Sequence, residues 1–214
     1  MLHIYVNNNQ TENGNGTIDN PYNNIKDAII HAKDGSIIII SGGNYLTDSS
    51  ININKNITIQ AKDSTVIING NNNHNIFNIN KGNSLTLINL ILENGKANNG
   101  GAINNNGVLY IINCTFQANI ATNNGGAIYN SKTGKLTING TIFQNNEVKN
   151  GGGAIYSLSP ISIDSSKFIN NKATATNGNG AQGGAIYIYQ ASEMSTITTS
   201  IFTRPIAAPS RNCS

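Results

Sequence analysis

The chain has 214 residues and a formal charge of +3, and only 11% of its residues are charged. Its lysines are spread along the whole sequence, so no dense basic face is predicted and nucleic acid is excluded as a favoured partner. Asn contributes 41 residues and Ile 35, and a composition dominated by two residue types indicates one domain built from a repeated unit.

The N-terminal segment, residues 1–35, is predicted to contain one short helix. After its first six residues the chain turns polar, so no hydrophobic region of signal-peptide length is expected, and no later apolar run is long enough for a transmembrane segment. Between Pro21 and Ala32 apolar residues recur at the spacing of an amphipathic helix. Asn23 or Asn24 can cap the start of this helix.

Residues 36–202 are predicted to form short strands. Apolar residues alternate with polar ones, as where Leu136 and Ile138 flank Thr137, and this period is typical of a strand with one buried face. The early part of the region follows the same rhythm, in the segments Ile37–Ile40, Ile57–Ile59, Val66–Ile68 and Ile76–Ile79.

Two motifs recur within this region. Gly-Gly-Ala-Ile occurs four times at successive spacings of 25, 27 and 31 residues, and between its copies a Phe is followed three residues later by Asn. A unit of about 25 residues cannot bury its apolar face alone, so copies must stack on one another. The sequence therefore predicts an all-β, parallel β-helix of about seven coils, whose open first coil is covered by the helix. The motif residues are Gly100, Gly101, Gly125, Gly126, Gly152, Gly153, Gly183 and Gly184, with Phe116, Asn119, Phe143, Asn146, Phe168 and Asn171.

Stacking of these repeats in register predicts columns of equivalent side chains. The three motif Phe are expected inside, and the three motif Asn are expected to form a hydrogen-bonded ladder at a corner. Asn and Gly also tolerate the left-handed backbone angles that corners require. A further column of small residues is expected from Cys114, Thr141, Ser166 and Ser200, which makes Cys114 a packing residue.

The C-terminal segment, residues 203–214, breaks the pattern. It contains both Arg residues of the chain and two of its four Pro, and it follows Phe202 without the expected Asn. Cys213 in this tail and Cys114 are both predicted to be unpaired. Because nothing after Phe202 resembles a cover, the last coil is expected to leave strand edges free for end-to-end self-association.

The two motifs resemble the repeats of chlamydial polymorphic outer-membrane proteins, and the layout is similar to that of adhesin-like surface proteins of methanogenic archaea. The resemblance spans Ile4 to Phe202 and implies a right-handed parallel β-helix of the pectin-lyase type. It also implies a cell-surface or extracellular location, with glycans or proteins of a host or neighbouring cell as partners. Since such proteins carry a leader and an anchor, the chain is interpreted as a fragment or a truncated reading frame of a larger surface protein.

Two functions remain open at this stage. A polysaccharide lyase or hydrolase of the same fold needs clustered acids and usually a basic Arg, yet no Arg precedes Arg204 and acids such as Glu147 and Asp164 are isolated in their repeats. The histidines lie far apart without ligand spacing, so neither a metal site nor a cofactor is predicted. A non-catalytic adhesin-like or structural module is therefore favoured over a pectin-lyase-like carbohydrate-active enzyme.

One outward column is a candidate ligand-contact surface. The residue after each of the last three Gly-Gly-Ala-Ile copies is Tyr129, Tyr156 or Tyr187, and strand alternation turns it outward if the preceding Ile points inward. Such a ladder suits contact with sugar rings or a protein. The alternative, which the residues favour, is that the rings only strengthen the sheet as cross-strand neighbours.

Overall fold

A computed structural model of the protein describes residues 2–174, 182–189 and 194–203. The predicted tail beyond Thr203, with Cys213, lies outside the described residues.

The predicted short strands stack into four parallel sheets. In spatial order, sheet A contains His3–Val6, Ser36–Ile40, Ile57–Ala61, Ser84–Ile88, Val108–Ile112, Lys135–Asn139, Ile161–Asp164 and Thr196–Thr198. Sheet B contains Gly43–Leu46, Val66–Asn69, Ile91–Glu93, Thr115–Gln117, Ile142–Gln144, Lys167–Ile169 and Ile201–Thr203. Sheet C contains Ile51–Ile53, Phe77–Ile79, Ile103–Asn105, Ile128–Asn130, Ile155–Ser157 and Ile186–Ile188, and sheet D contains Lys96–Asn99, Ile120–Asn124, Glu147–Val148 and Lys172–Ala173.

Each sheet is formed by strands from successive turns, so the protein is a parallel β-solenoid. In sheet A, Leu109 pairs with Leu136 and Leu136 with Ile161, which confirms the alignment of the repeats without gaps. The predicted count of about seven coils is slightly too high, since the solenoid has about 5 turns. Sheets A and B hold 8 and 7 strands among the described residues, but sheets C and D hold only 6 and 4. The early turns lack the exact motif and have no sheet D strand in the described part of the chain, so their boundaries are not marked in the sequence.

The core fills the inside of the solenoid. Alternate residues of each strand point inward, and equivalent residues of successive sheet A strands form a continuous apolar column: Ile38, Ile59, Leu87, Ile111, Ile138 and Ile163. Each of these side chains is buried. Burial of each such side chain contributes about 1.5–3 kcal/mol, and because every turn shares its column with two neighbours, stability depends on stacking.

The helix, Ile25–His31, packs at the N-terminal end, as predicted. Asn24 is its N-cap, since the Asn24 side chain accepts a hydrogen bond from the Asp27 amide. The inward face of the helix, Ile25, Ala28 and Ile29, belongs to the same core cluster as the first strands. The helix therefore closes the end of the core that the first turn would leave open.

Lys55 fixes the other end of this helix. Its ammonium donates hydrogen bonds to the carbonyls of Ile29, Ile30 and Ala32 at 3.1, 3.2 and 2.7 Å. These carbonyls lie in or just after the last helical turn, where unpaired acceptors and the negative end of the helix dipole favour a cation. Lys55 lies between the strands Ile51–Ile53 and Ile57–Ala61, so it joins the helix to a different part of the solenoid.

The Gly-Gly-Ala-Ile motif forms a corner that only glycine fits. Gly125 has a φ of +66°, in the left-handed region, and a Cβ at Gly126 would collide with the Gly153 carbonyl of the next turn. The remaining corners use mostly asparagine, which accounts for 7 of the 10 non-glycine residues with positive φ among those described. The abundance of Asn thus has a mechanical origin, as the sequence predicted.

Candidate binding surface

The motif phenylalanines form a stacked column in the interior. The ring centroids of Phe116 and Phe143 are 4.9 Å apart, those of Phe143 and Phe168 also 4.9 Å, and those of Phe168 and Phe202 4.8 Å. Phe116, Phe143 and Phe168 are fully buried, whereas Phe202 in the last described turn is 50% exposed. The column is therefore structural, and it takes no part in an outward site.

The motif asparagines form a buried ladder beside this column. The Asn119 Nδ2 donates to the Asn146 Oδ1 at 3.0 Å, and the Asn146 Nδ2 donates to the Asn171 Oδ1 at 2.9 Å. The Asn146 Nδ2 also donates to the Phe116 carbonyl at 3.0 Å, and the Asn146 Oδ1 also accepts from the Asn119 backbone amide at 3.1 Å. All four hydrogen-bonding positions of the Asn146 amide are thus used between neighbouring turns.

The column of small residues is also built by hydrogen bonds between turns. The backbone amide of Cys114 donates to the Thr141 hydroxyl at 3.3 Å, and that of Thr141 donates to the Ser166 hydroxyl at 3.2 Å. The Ser166 backbone amide donates in the same way to the Ser200 hydroxyl. Cys114 begins this column and is buried, and burial raises the pKa of its thiol to about 11. Cys114 is therefore a packing residue, as predicted, and is not activated as a nucleophile.

The raised thiol pKa of Cys114 predicts a specific loss of stability at alkaline pH. The unfolded chain ionises this thiol near its ordinary pKa of about 8.5, whereas the folded chain holds the proton until about pH 11. Between these values the unfolded state binds fewer protons, so the free energy of unfolding falls by about 1.4 kcal/mol per pH unit from this group. Denaturant unfolding at several pH values measures the effect.

A Cys114→Ser variant is the matched control for this pH dependence, because serine already occupies the column at Ser166 and Ser200. We expect the stability difference between the parent and the variant to change steadily in favour of the variant between about pH 8.5 and 11. A difference that stays constant over this interval would show that the folded thiol ionises normally.

A second buried ladder was missed by sequence reasoning. The Asn105 Nδ2 donates to the Asn130 Oδ1 at 2.7 Å, and the Asn130 Nδ2 donates to the Ser157 hydroxyl at 2.9 Å. All three side chains are buried on the inner face of sheet C. The sequence does indicate their inward direction, since each lies two residues after a buried Ile on the same face of its strand. It was not recognised because polar residues are expected on the outer face.

The three tyrosines lie in one outward column of sheet C. Tyr129 pairs in register with Tyr156, and Tyr156 with Tyr187, and all three side chains are partly buried. The preceding residues Ile128 and Ile155 point into the core, as the prediction required. The structure thus brings the predicted column together, while its role in ligand contact remains a prediction.

The tyrosine rings stack on one another along the solenoid. Centroids of Tyr129 and Tyr156 are 5.7 Å apart with an interplanar angle of 8°, and those of Tyr156 and Tyr187 are 5.3 Å apart at 35°. Desolvation raises the pKa of Tyr156, and the neighbouring Tyr187 and Tyr129 add to this effect. Because the ring faces contact each other, the column offers mainly ring edges and hydroxyl groups to a ligand.

The two acidic residues considered for catalysis, Asp164 and Glu147, each have a partner within the solenoid. Asp164 accepts hydrogen bonds from the hydroxyls of Thr198 and Thr199 at 2.7 and 3.0 Å, and these bonds lower the pKa of its carboxyl. Glu147 lies 4.0 Å from the Lys172 ammonium. In residues 2–174, 182–189 and 194–203, no three His, Cys, Asp or Glu side chains are grouped in a way that could hold a metal ion.

The fold and its ladders define a parallel β-solenoid repeat protein. Residues 113–131 and 140–158 match the family model of the Chlamydia polymorphic membrane protein repeat, which confirms that the chain carries repeats of this type. Each matched segment runs from the corner after a sheet A strand, through the Phe and Asn motif, to the sheet C strand. No curated protein matches the chain. None of the helices in the described ranges has the length and apolar character needed to cross a bilayer.

Proposed function

We propose that the protein is a non-catalytic adhesin-like module of a cell surface. The observation that carries this proposal is the regular exterior of the solenoid, in which equivalent outward residues of successive turns lie one strand spacing apart. Extended repeat surfaces of this kind are used for binding. The matched repeats come from polymorphic membrane proteins, which favours a surface location for this chain as well.

The partners proposed for this module are glycans or proteins of a host or neighbouring cell. End-to-end self-association through the last turn also remains a proposal, and it fits the exposure of Ile201 and Phe202 there. The module is tested by immobilising the purified chain and measuring retention of cells and of defined glycans against a blank surface. Retention no greater than on the blank surface would contradict the proposal.

Replacing Tyr129, Tyr156 and Tyr187 together by serine decides the role of the tyrosine column. We expect stability to fall by about 1–3 kcal/mol, because two stacked pairs worth about 0.5–1.5 kcal/mol each are lost. Binding by the fraction that remains folded should be unchanged. Thermal unfolding and retention assays on the same preparations measure the two effects.

The opposite pattern would assign the column to recognition. If retention is lost while the melting temperature barely moves, Tyr129, Tyr156 and Tyr187 form the binding surface. Tyr189→Ala is a suitable control, since Tyr189 lies next to Tyr187 with centroids 6.3 Å apart but outside the register of the column.

A further inference from the structure

Tyr110 is exposed in the middle of the outer face of sheet A. Its side chain is 45% exposed, and its register neighbours on the two adjacent strands are Thr86 and Thr137. Unlike the sheet C tyrosines, it stacks on no aromatic ring of the described residues. Its hydroxyl likewise makes no hydrogen bond within that part of the chain. The ring is thus available to an outside ligand.

The surroundings of Tyr110 combine an apolar patch with unpaired hydroxyl groups. Ile112, two residues further on the same strand and face, is 37% exposed and pairs in register with Ile88 and Asn139. The hydroxyls of Thr86 and Thr137 have no hydrogen-bond partner among the residues described, although Thr198 on the same face is bonded to Asp164. Thr86 and Thr137 flank Tyr110 on its two neighbouring strands, two strand spacings or about 9.6 Å apart, so their hydroxyls can bond to an extended ligand on both sides of the ring.

This part of the face is electrically neutral. The outward residues of four consecutive sheet A strands form two rows without a charged side chain: Thr58, Thr86, Tyr110 and Thr137 in one row, and Gln60, Ile88, Ile112 and Asn139 in the other. The next residue of the second row is Asp164, and Lys135 begins its strand outside both rows. Lys135 and Asp164 have opposite signs, so this surface has no net charge to attract a polyanion and favours a neutral ligand.

The size of the patch argues against a second copy of the chain as its occupant. A stable dimer buries about 800 Å² on each partner around an apolar centre, whereas only Tyr110 and Ile112 expose large apolar side chains here. An aromatic ring beside aliphatic and hydroxyl groups instead matches a sugar, which has an apolar ring face and hydroxyls at its edge.

We propose that Tyr110, Ile112, Thr86 and Thr137 form a platform that binds an extended neutral polysaccharide along the solenoid axis. One sugar ring lies against Tyr110 and Ile112, and hydroxyls of the neighbouring sugars bond to Thr86 and Thr137. This platform rests on the proposed adhesin-like function and gives that function a ligand class and a face distinct from the tyrosine column.

Affinity electrophoresis tests the platform with soluble neutral polysaccharides, namely a β-glucan, a galactan and a mannan, and with polygalacturonate as the charged comparison. We expect the parent chain to be retarded by at least one neutral polysaccharide and Tyr110→Ala to weaken that binding about tenfold. Tyr110→Phe keeps the ring and should bind within about threefold of the parent. Tyr189→Ala, which removes a ring of similar exposure, 41%, should bind like the parent.

The outcomes separate this proposal from the broader one. Unchanged binding by a folded Tyr110→Ala, checked by circular dichroism, overturns the platform, as does retardation by polygalacturonate alone. Dimerisation that depends on Tyr110, seen by light scattering, overturns it in favour of a second copy. Retention of cells without binding of any neutral polysaccharide overturns the platform while the adhesin-like function stands, whereas loss of both contradicts both proposals.

Discussion

Replacing Phe143 by alanine is expected to lower the free energy of unfolding by about 3–5 kcal/mol. Phe143 is fully buried, and its ring lies between those of Phe116 and Phe168 at 4.9 Å on each side. Its removal loses both stacking contacts and leaves a cavity that the fixed strand spacing prevents from collapsing. Urea-induced unfolding followed by circular dichroism measures the change.

Phe202→Ala is the matched control, because Phe202 ends the same column but is 50% exposed and has one stacking partner, Phe168, in the described part of the protein. We expect it to cost about 1 kcal/mol, well below the value for Phe143. Equal costs at the two positions would mean that the rings do not stack inside the solenoid.

Asn146→Ala is expected to be almost as damaging, at about 2–5 kcal/mol. The Asn146 amide makes four buried hydrogen bonds, and its removal leaves the Phe116 carbonyl and the Asn119 backbone amide without those partners. Each unsatisfied buried group costs about 1–3 kcal/mol, more than the net gain from forming the bond. The same unfolding experiment measures the loss.

Asn150→Ala provides the comparison for this ladder. Asn150 is exposed, and its side chain donates to the Asn123 Oδ1 at the surface. Its replacement should change stability by less than about 0.5 kcal/mol. If Asn146→Ala were equally mild, hydrogen bonding along the ladder would not be what holds the turns together.

The interior of the solenoid was largely predictable, because one residue pattern decides it in every turn. Once Phe116, Phe143 and Phe168 are aligned, parallel stacking places them in a column, and the Asn three residues later must share a corner. The helix was predictable for a similar reason, since the spacing of apolar residues around Ile25 and Ile29 is typical of an amphipathic helix packed on a core. The repeated pattern thus predicts which side chains face inward and stack, which a single copy of it does not.

The parts that sequence reasoning did not find depend on contacts between distant residues. The stacking of Tyr129 on Tyr156 fixes which parts of the rings are available, and strand alternation gives only their outward direction. The Lys55 contacts with the helix join residues more than twenty positions apart, so no local sequence motif predicts them. Tyr110 was not singled out because neighbouring repeats have Thr86 and Thr137 in its place, so it belongs to no repeated aromatic pattern.

The attachment of Lys55 to the helix makes the two ends of the solenoid unequal. Detaching the helix exposes Ile25 and Ile29. It also removes all three carbonyl partners of the partly buried Lys55 ammonium, which lies between two strands of the solenoid. The N-terminal end therefore opens only together with those strands, as one cooperative unit. In the last described turn, Ile201 and Phe202 are exposed, and their stacking on the preceding turn can be lost locally. Among the described residues, local unfolding is therefore expected to begin at this exposed turn and to reach the helix last.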